Sequence, residues 1–286
     1  MVSWNTEAAW PLRRGARIVA VAALGLLLAA CATDRVGEAM SGAAAGETGA
    51  YGTTMRIADA TRAAGDLTGA VSLYRRAAEI APKRAAPLVA LGGTLQDARA
   101  FNESVTAYQA ALAIEPRNVD ALRGLGNSFV GLDQAQLALT QFRAAAQFNP
   151  ADPRLANSLG VVYDMLSDHR AAQESYAAGL ASTPDNLPLL NNLSLSLALS
   201  GDFDQAVARL RPVALSAGST LRTRQTLALI YGLANNSDAA ARIARMDLDE
   251  SAVQSNLAYY TTLRGLVAAK RSSAIVKSSV RSDALP

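Results

Sequence analysis

Four prolines, Pro82, Pro116, Pro150 and Pro184, follow one another at intervals of 34 residues. A period of this length makes the chain an array of one supersecondary unit, not a fold wrapped round a single core. With proline at position 32, units begin at Tyr51, Ala85, Val119, Pro153, Leu187 and Leu221. Position 8 is then Ala58, Gly92, Gly126, Gly160, Ser194 and Ala228, and position 20 is Ala70, Ser104, Ala138, Ala172, Ala206 and Ala240. Small side chains at two fixed places let the backbones of two helices approach closely. Position 7 is Ile57, then Leu91, Leu125, Leu159, Leu193 and Leu227. Position 24 is Tyr74, Tyr108, Phe142 and Tyr176 before it changes to Leu210 and Ala244. These larger groups fill the space beside the close contact. Proline ends the second helix of each unit, because it lacks an N–H and its ring clashes with the preceding turn.

The pattern resembles the tetratricopeptide repeat and covers Tyr51 to about Gln254. The resemblance implies an all-α, right-handed solenoid of about six helix pairs. The units degrade toward the C-terminus: Gly218 stands where proline would be, and Pro212 falls inside the second helix of the fifth unit, which predicts a kink or a break. Asp247 occupies position 27 of the sixth unit, where a small residue is usual. Beyond it, Val253, Leu257, Tyr260, Leu263 and Val267 recur at helical spacing. They predict a helix over 255–269 that caps the apolar face of the last repeat.

The single cysteine, Cys31, ends a different kind of segment. Arg13, Arg14 and Arg17 precede an almost wholly apolar stretch from Ile18 to Leu28, and Ala29-Ala30 are small. That is the layout of a secretory signal over residues 1–30. From Ile18 to Ala30 the stretch is 13 residues, too short for a bilayer core about 30 Å thick. Leu28-Ala29-Ala30-Cys31 resembles the lipobox of bacterial lipoproteins. The resemblance implies a diacylglycerol on the Cys31 sulfur, cleavage before it, and acylation of the new amino terminus by a fatty acid such as palmitate. This covalent lipid would be the only prosthetic group. Ala32 in place of Asp implies sorting to the periplasmic face of the outer membrane. Two other readings remain open: an ordinary signal cleaved after Ala32, or a small buried cysteine. With no second cysteine, a disulfide within the chain is excluded.

Charge narrows the partners. The sequence holds 27 basic and 24 acidic side chains, and without the signal 24 and 23 remain. A chain so close to neutral lacks the net basic face that phosphate backbones require, so a nucleic-acid partner is not expected. Residues 31–50 are rich in Gly, Ala, Ser and Thr, too poor in large apolar groups to order themselves. They predict a flexible tether with a reach of roughly 25 Å. Residues 270–286 carry Lys270, Arg271, Lys277 and Arg281 against Asp283 among many serines. They read as a disordered basic tail, with attachment to anionic head groups or a docking segment as the alternative.

Side-chain catalysis needs a positioned acid, base, nucleophile or metal. His169 is the only histidine and sits in the turn "LSDHRAAQES", where it reads as a turn or packing residue. Without a second histidine or another thiol no zinc site is expected, and the two Gly-containing stretches at 91–93 and 124–127 lack phosphate-loop spacing. The chain reads as non-enzymatic. Binding remains, along the inner face that the first helices of the repeats build. By resemblance, positions 2, 5, 6, 9 and 12 point into that groove. Here they include Asp120, Arg123 and Asn127; Arg154, Asn157, Ser158 and Asp164; Asn191 and Asn192; and Arg222 and Gln225. Asparagine offers a donor and an acceptor to an extended peptide backbone. Arg123 and Asn127 match the first pair of the carboxylate clamp found in some tetratricopeptide domains. Ser158, Pro188 and Asn192 do not complete it.

Residues 191–266 are more particular than the repeat pattern. "LRP" at Leu210–Pro212, the helix from Arg224 to Ala234 and "NLAYYTTLR" from Asn256 to Arg264 resemble the C-terminal half of TadD-type lipoproteins of the tight-adherence (Flp) pilus system. The resemblance implies a membrane-anchored assembly factor with partners in the pilus secretion apparatus, the secretin first among them. A repeat lipoprotein that recruits cell-wall hydrolases or assists outer-membrane protein assembly is the alternative.

Overall fold

The computed structural model describes residues 49–266, 270–272 and 274–275. The signal segment, Cys31 and the tether up to residue 48 lie outside the described residues. Residues 49–63 form the first helix, α1, so residues 49 and 50 are helical and not part of a tether. It pairs with α2 (Leu67–Ile80). Four further pairs follow: α3 (Ala86–Asp97) with α4 (Phe101–Ile114), α5 (Val119–Gly131) with α6 (Ala135–Ala146), α7 (Pro153–Met165) with α8 (His169–Ser182), and α9 (Leu187–Leu199) with α10 (Phe203–Ala214). A sixth pair, α11 (Leu221–Leu233) with the short α12 (Ser237–Ala244), precedes the long α13 (Glu250–Gly265). No strand occurs among the described residues.

Sequence sets these boundaries locally. Pro82, Pro116 and Pro184 each lie two residues beyond the last residue of α2, α4 and α8, just past the C-cap. At the other ends, side chains of Asp66, Asn118, Asp168, Asn186, Asp202, Thr220, Asn236 and Asp249 accept a backbone N–H of the first turn. Each satisfies a donor that the helix itself leaves without a partner.

Packing repeats with the same period. A Cβ built on Gly126 or Gly160 would overlap the ring of Phe142 or Tyr176, so position 8 lies flat against the aromatic of position 24. Ala70, Ala138, Ala172, Ala206 and Ala240 at position 20 are 0 % exposed, which shows that the small residues mark the helix–helix contact. First helices of neighbouring repeats also touch: α3 with α5, α5 with α7, α7 with α9, and α9 with α11.

Three expectations are corrected here. Helix α10 runs unbroken through Pro212, because that proline lies in its last turn and the carbonyl it cannot pair belongs to exposed Ala208. Helix α13 starts at Glu250 and ends at Gly265, so the cap begins inside the stretch counted as repeats. It packs on α11 as a seventh first helix would, with Tyr260 seated on Gly232. The start of the tail is not solvated: residues 270–272 and 274–275 are helical, and Ser272 and Ile275 are buried. Asp247, the odd residue of the sixth unit, is explained by a bidentate bridge to Arg224, with Oδ2 2.7 Å from Nε and Oδ1 2.6 Å from Nη2.

Candidate peptide-binding groove

The first helices of repeats two to five surround a cavity of about 470 Å³. Arg123, Asn127 and Val130 enter it from α5, and Arg154, Asn157, Ser158 and Val161 from α7. Gln96 closes one end and Pro188 with Leu189 the other. Cations, amides and aliphatic groups thus converge on one open space.

Each polar group is held before any ligand arrives. Asp120 Oδ1 lies 2.9 Å from Arg123 Nη2 and 3.8 Å from Arg154 Nη2, so one carboxylate orients both guanidinium groups. Arg154 also donates from Nε and Nη2 to Asp152 at 3.3 Å. Burial opposes ionisation of Asp152, yet the side-chain and backbone donors of Arg154 outweigh it and hold that carboxyl below its ordinary range. Asn127 accepts from the Ser158 hydroxyl at 3.3 Å, and Asn157 accepts from Asn192 Nδ2 at 2.7 Å. A guanidinium has five N–H donors, so the bonds to carboxylates leave Arg154, with a side chain 66 % exposed, able to take a further acceptor.

Not every predicted groove residue is there. Arg123, Asn127, Arg154, Asn157 and Ser158 line the cavity, and Asp120 flanks it. Asn191 and Asn192 are buried and spent between repeats: Asn191 Nδ2 donates to Thr223 Oγ1 at 3.3 Å, and Asn192 donates to Asn157. Their side chains are needed to satisfy the packed interfaces, which removes them from the inner surface. Arg222 is half-buried and Gln225 exposed, both in the sixth repeat and away from this cavity.

Asp164 is the clearest departure. It is buried between repeats four and five and accepts from Ser196 Oγ at 2.7 Å, Tyr176 Oη at 3.1 Å and His169 Nδ1 at 2.7 Å. Burial outweighs these donors and raises the Asp164 carboxyl above its ordinary range. Two repeats earlier, Gln96 plays the same part at the same position. Its amide donates to Ser128 Oγ at 2.9 Å, and Tyr108 Oη donates to it at 3.3 Å. Burial pushes the Tyr108 phenol up to about 12, which keeps it a donor. Positions 10, 12 and 24 therefore form a repeated polar node that ties one unit to the next. Its signal in the sequence is a polar residue at 12 wherever 24 is Tyr and the next unit has Ser at 10.

His169 is a packing residue with a second partner, since its Nε2 lies 3.3 Å from Ser272 Oγ. Asp164, His169 and Ser272 thus stand in the order of a hydrolytic triad. Ser272 is only 1 % exposed, which gives a scissile carbonyl no approach to it. Among the described residues no group of three or more His, Cys, Asp or Glu is placed to hold a metal ion. No helix among them is long and apolar enough to cross a membrane.

No protein-family model matches the chain, and no curated protein matches it in sequence. Solved structures do. That of pilF from Pseudomonas aeruginosa is similar with a TM-score of 0.61 and 20 % identity, over 75 % of this chain and 99 % of that one. The thermophilic TPR protein TTC0263 of Thermus thermophilus gives 0.55 and 22 %, over 63 % and 98 %. MamA of Desulfovibrio magneticus gives 0.52 and 20 %, over 57 % and 92 %. At these identities the likeness concerns the fold. With the 34-residue period and the paired helices, it makes the chain a tetratricopeptide-repeat α-solenoid.

Proposed function

We propose that the chain is a non-enzymatic scaffold that holds an extended segment of a partner protein in the groove of repeats two to five. The observation that carries this reading is the convergence of Arg123, Asn127, Arg154 and Asn157 on one open cavity. An extended peptide presents carbonyls and N–H groups at regular intervals. Pre-oriented guanidinium groups meet the carbonyls, amides meet both, and Val130, Val161 and Leu189 shelter apolar side chains between them. Two features of the sequence support a location and a role for the scaffold. Cys31 in its lipobox-like setting supports a lipid anchor at the periplasmic face of the outer membrane, where two or more acyl chains hold a protein stably. The stretch from 191 to 266 supports a role in assembling a tight-adherence (Flp) pilus, with the secretin as the partner.

Affinity purification of the lipidated protein from membranes tests this, alongside a deletion strain and the double variant Arg123→Glu/Arg154→Glu. The natural chain is expected to bring down the secretin, and the double variant to lose at least about tenfold of it, a change of about 1.4 kcal/mol. Cys31→Ser is expected to stop pilus assembly while the soluble protein still binds. A pulldown without the secretin, from a strain whose deletion mutant still forms pili, would show the assignment to be wrong.

A further inference from the structure

A second cavity, of about 560 Å³, lies between α10 and the end of α11 and shares no lining residue with the groove of repeats two to five. Phe203, Val207 and Pro212 line it from α10, with Leu215 just past the helix end. Tyr231 of α11 and Asn236 of the turn that follows complete it.

The repeat period supplies an internal comparison. Arg143 and Tyr163 stand at positions 25 and 11 of consecutive units. There Arg143 Cζ lies 5.8 Å from the ring centroid, and Nη2 donates to Tyr163 Oη at 3.2 Å. Arg211 and Tyr231 are the same two residue types 68 positions on, two periods later. Here the pair is open, and neither side chain has a hydrogen-bond or ion-pair partner among the described residues. Neighbouring residues account for the space. Leu139, Ala144 and Gln147 beside the closed pair are replaced by Val207, Pro212 and Leu215 beside the open one. Valine is one methylene shorter than leucine. Proline leaves the carbonyl of Ala208, another lining residue, without its helical donor. Leu215 is 48 % exposed where the third repeat carries glutamine.

We infer that this cavity is a second binding site, for an extended partner segment that carries an aromatic or aliphatic residue between a basic and an acidic one. Phe203, Val207 and Leu215 would shelter the apolar side chain. The Ala208 carbonyl accepts an N–H of the segment, and the Tyr231 hydroxyl can pair with a carbonyl or an N–H. Charge fixes the rest of the pattern. Asp204, also lining the cavity and without a partner among the described residues, precedes Arg211 by seven residues. Seven residues of helix are about 10 Å, which roughly three residues of extended chain span. A segment with opposite charges at that spacing meets the cation with its carboxylate and the anion with its cation. A segment of one sign meets a like charge at one end.

Panning short random peptides displayed on phage against the full chain in detergent, with counter-selection on the cavity-filling variant Val207→Arg, tests this. Enriched peptides are expected to hold an apolar residue between a basic and an acidic one. A fluorescein-labelled peptide of that consensus should bind the natural chain saturably and lose at least about fivefold in affinity to Arg211→Glu, regaining it when its own acidic residue is changed to Lys. Arg123→Glu/Arg154→Glu should leave this affinity unchanged, which separates the site from the inner groove. Circular dichroism accompanies each variant, and Leu215→Glu, at an exposed side chain, takes over the counter-selection if Val207→Arg loses helicity. The inference is overturned if no peptide distinguishes the natural chain from the filled cavity, or if Arg211→Glu leaves binding unchanged. It is also overturned if sedimentation shows a dimer of the chain that Val207→Arg dissociates, which would make this face an interface between copies.

Discussion

Six residues spaced 34 apart, Gly65, Arg99, Asp133, Ser167, Gly201 and Asn235, turn the chain from first to second helix with φ between 57° and 94°. Only glycine adopts this region without a Cβ penalty, so four of the six turns carry strain. Ser167, with φ of 62°, lies outside the groove cavity. Ser167→Gly is expected to stabilise the protein by about 0.5–1 kcal/mol, a rise in Tm of a few degrees by calorimetry. A fall in Tm would show that the hydroxyl matters more than the backbone. Asp164 makes the second case at this scale. With His169 Nδ1 turned to the carboxyl at 2.7 Å, Nε2 faces the Ser272 hydroxyl at 3.3 Å. Asp164→Asn sets an amide N–H₂ against hydroxyl donors and should cost about 1–3 kcal/mol in urea unfolding. Because burial raises the folded-state value above the unfolded one, the proton stabilises the fold. That contribution is complete below the unfolded carboxyl value of about 4 and is lost as pH rises through the folded value. The margin of the natural chain over Asp164→Asn should therefore widen from pH 7 downward. A constant margin would mean that the carboxyl titrates alike in both states.

Between elements, close approach governs. Gly126 and Gly160 let α5 and α7 lie flat on the rings of Phe142 and Tyr176, both fully buried. Gly160→Ala gains about 1 kcal/mol of helix propensity, but its methyl collides with a ring in a fully packed site. Overpacking of this kind costs about 1–3 kcal/mol, and Gly126→Leu should fall at the upper end. Chemical unfolding of both variants checks this, and unchanged midpoints would count against the register of the repeats. Helix pairs and their ends were legible in the sequence because proline, glycine and the small residues act locally and recur with one period. The groove was legible only in part. Arg123, Asn127, Arg154 and Asn157 converge on one cavity, at positions the resemblance implies, whereas Asp164, Asn191 and Asn192 at other such positions turn into interfaces. Phase says which side a residue occupies, but not whether a neighbouring repeat needs its hydrogen bond. The contact of Ser272 with His169 had no signal at all, since a contact across 103 positions leaves no period to read.

At the scale of the molecule the apolar contacts are unevenly shared. Three clusters of buried residues, joined to one another through half-buried Leu88, Leu112 and Phe129, serve the first four repeats: Ala58 to Ala107, Ala85 to Leu125, and Leu122 to Val162. One continuous cluster then runs from Ala172 of the fourth repeat through α9 and α11 to Leu263 of the cap and Ile275. In a solenoid each unit is stabilised by itself and by its neighbours, so the half with divided clusters opens at lower free energy. The groove of repeats two to five spans this boundary: its α3 and α5 walls belong to the weaker half, while Leu189 at its far end belongs to the continuous cluster. Such a site can adjust one wall to a bound segment and keep the other as a fixed reference. Hydrogen exchange followed by mass spectrometry should show amides of α9 and α11 exchanging at least about tenfold more slowly than those of α3 and α5, a difference of roughly 1.4 kcal/mol in opening. Binding of a partner segment should then protect α3 and α5 far more than α9. Uniform exchange along the chain would make the solenoid one cooperative unit, and the adjustable wall would go with it.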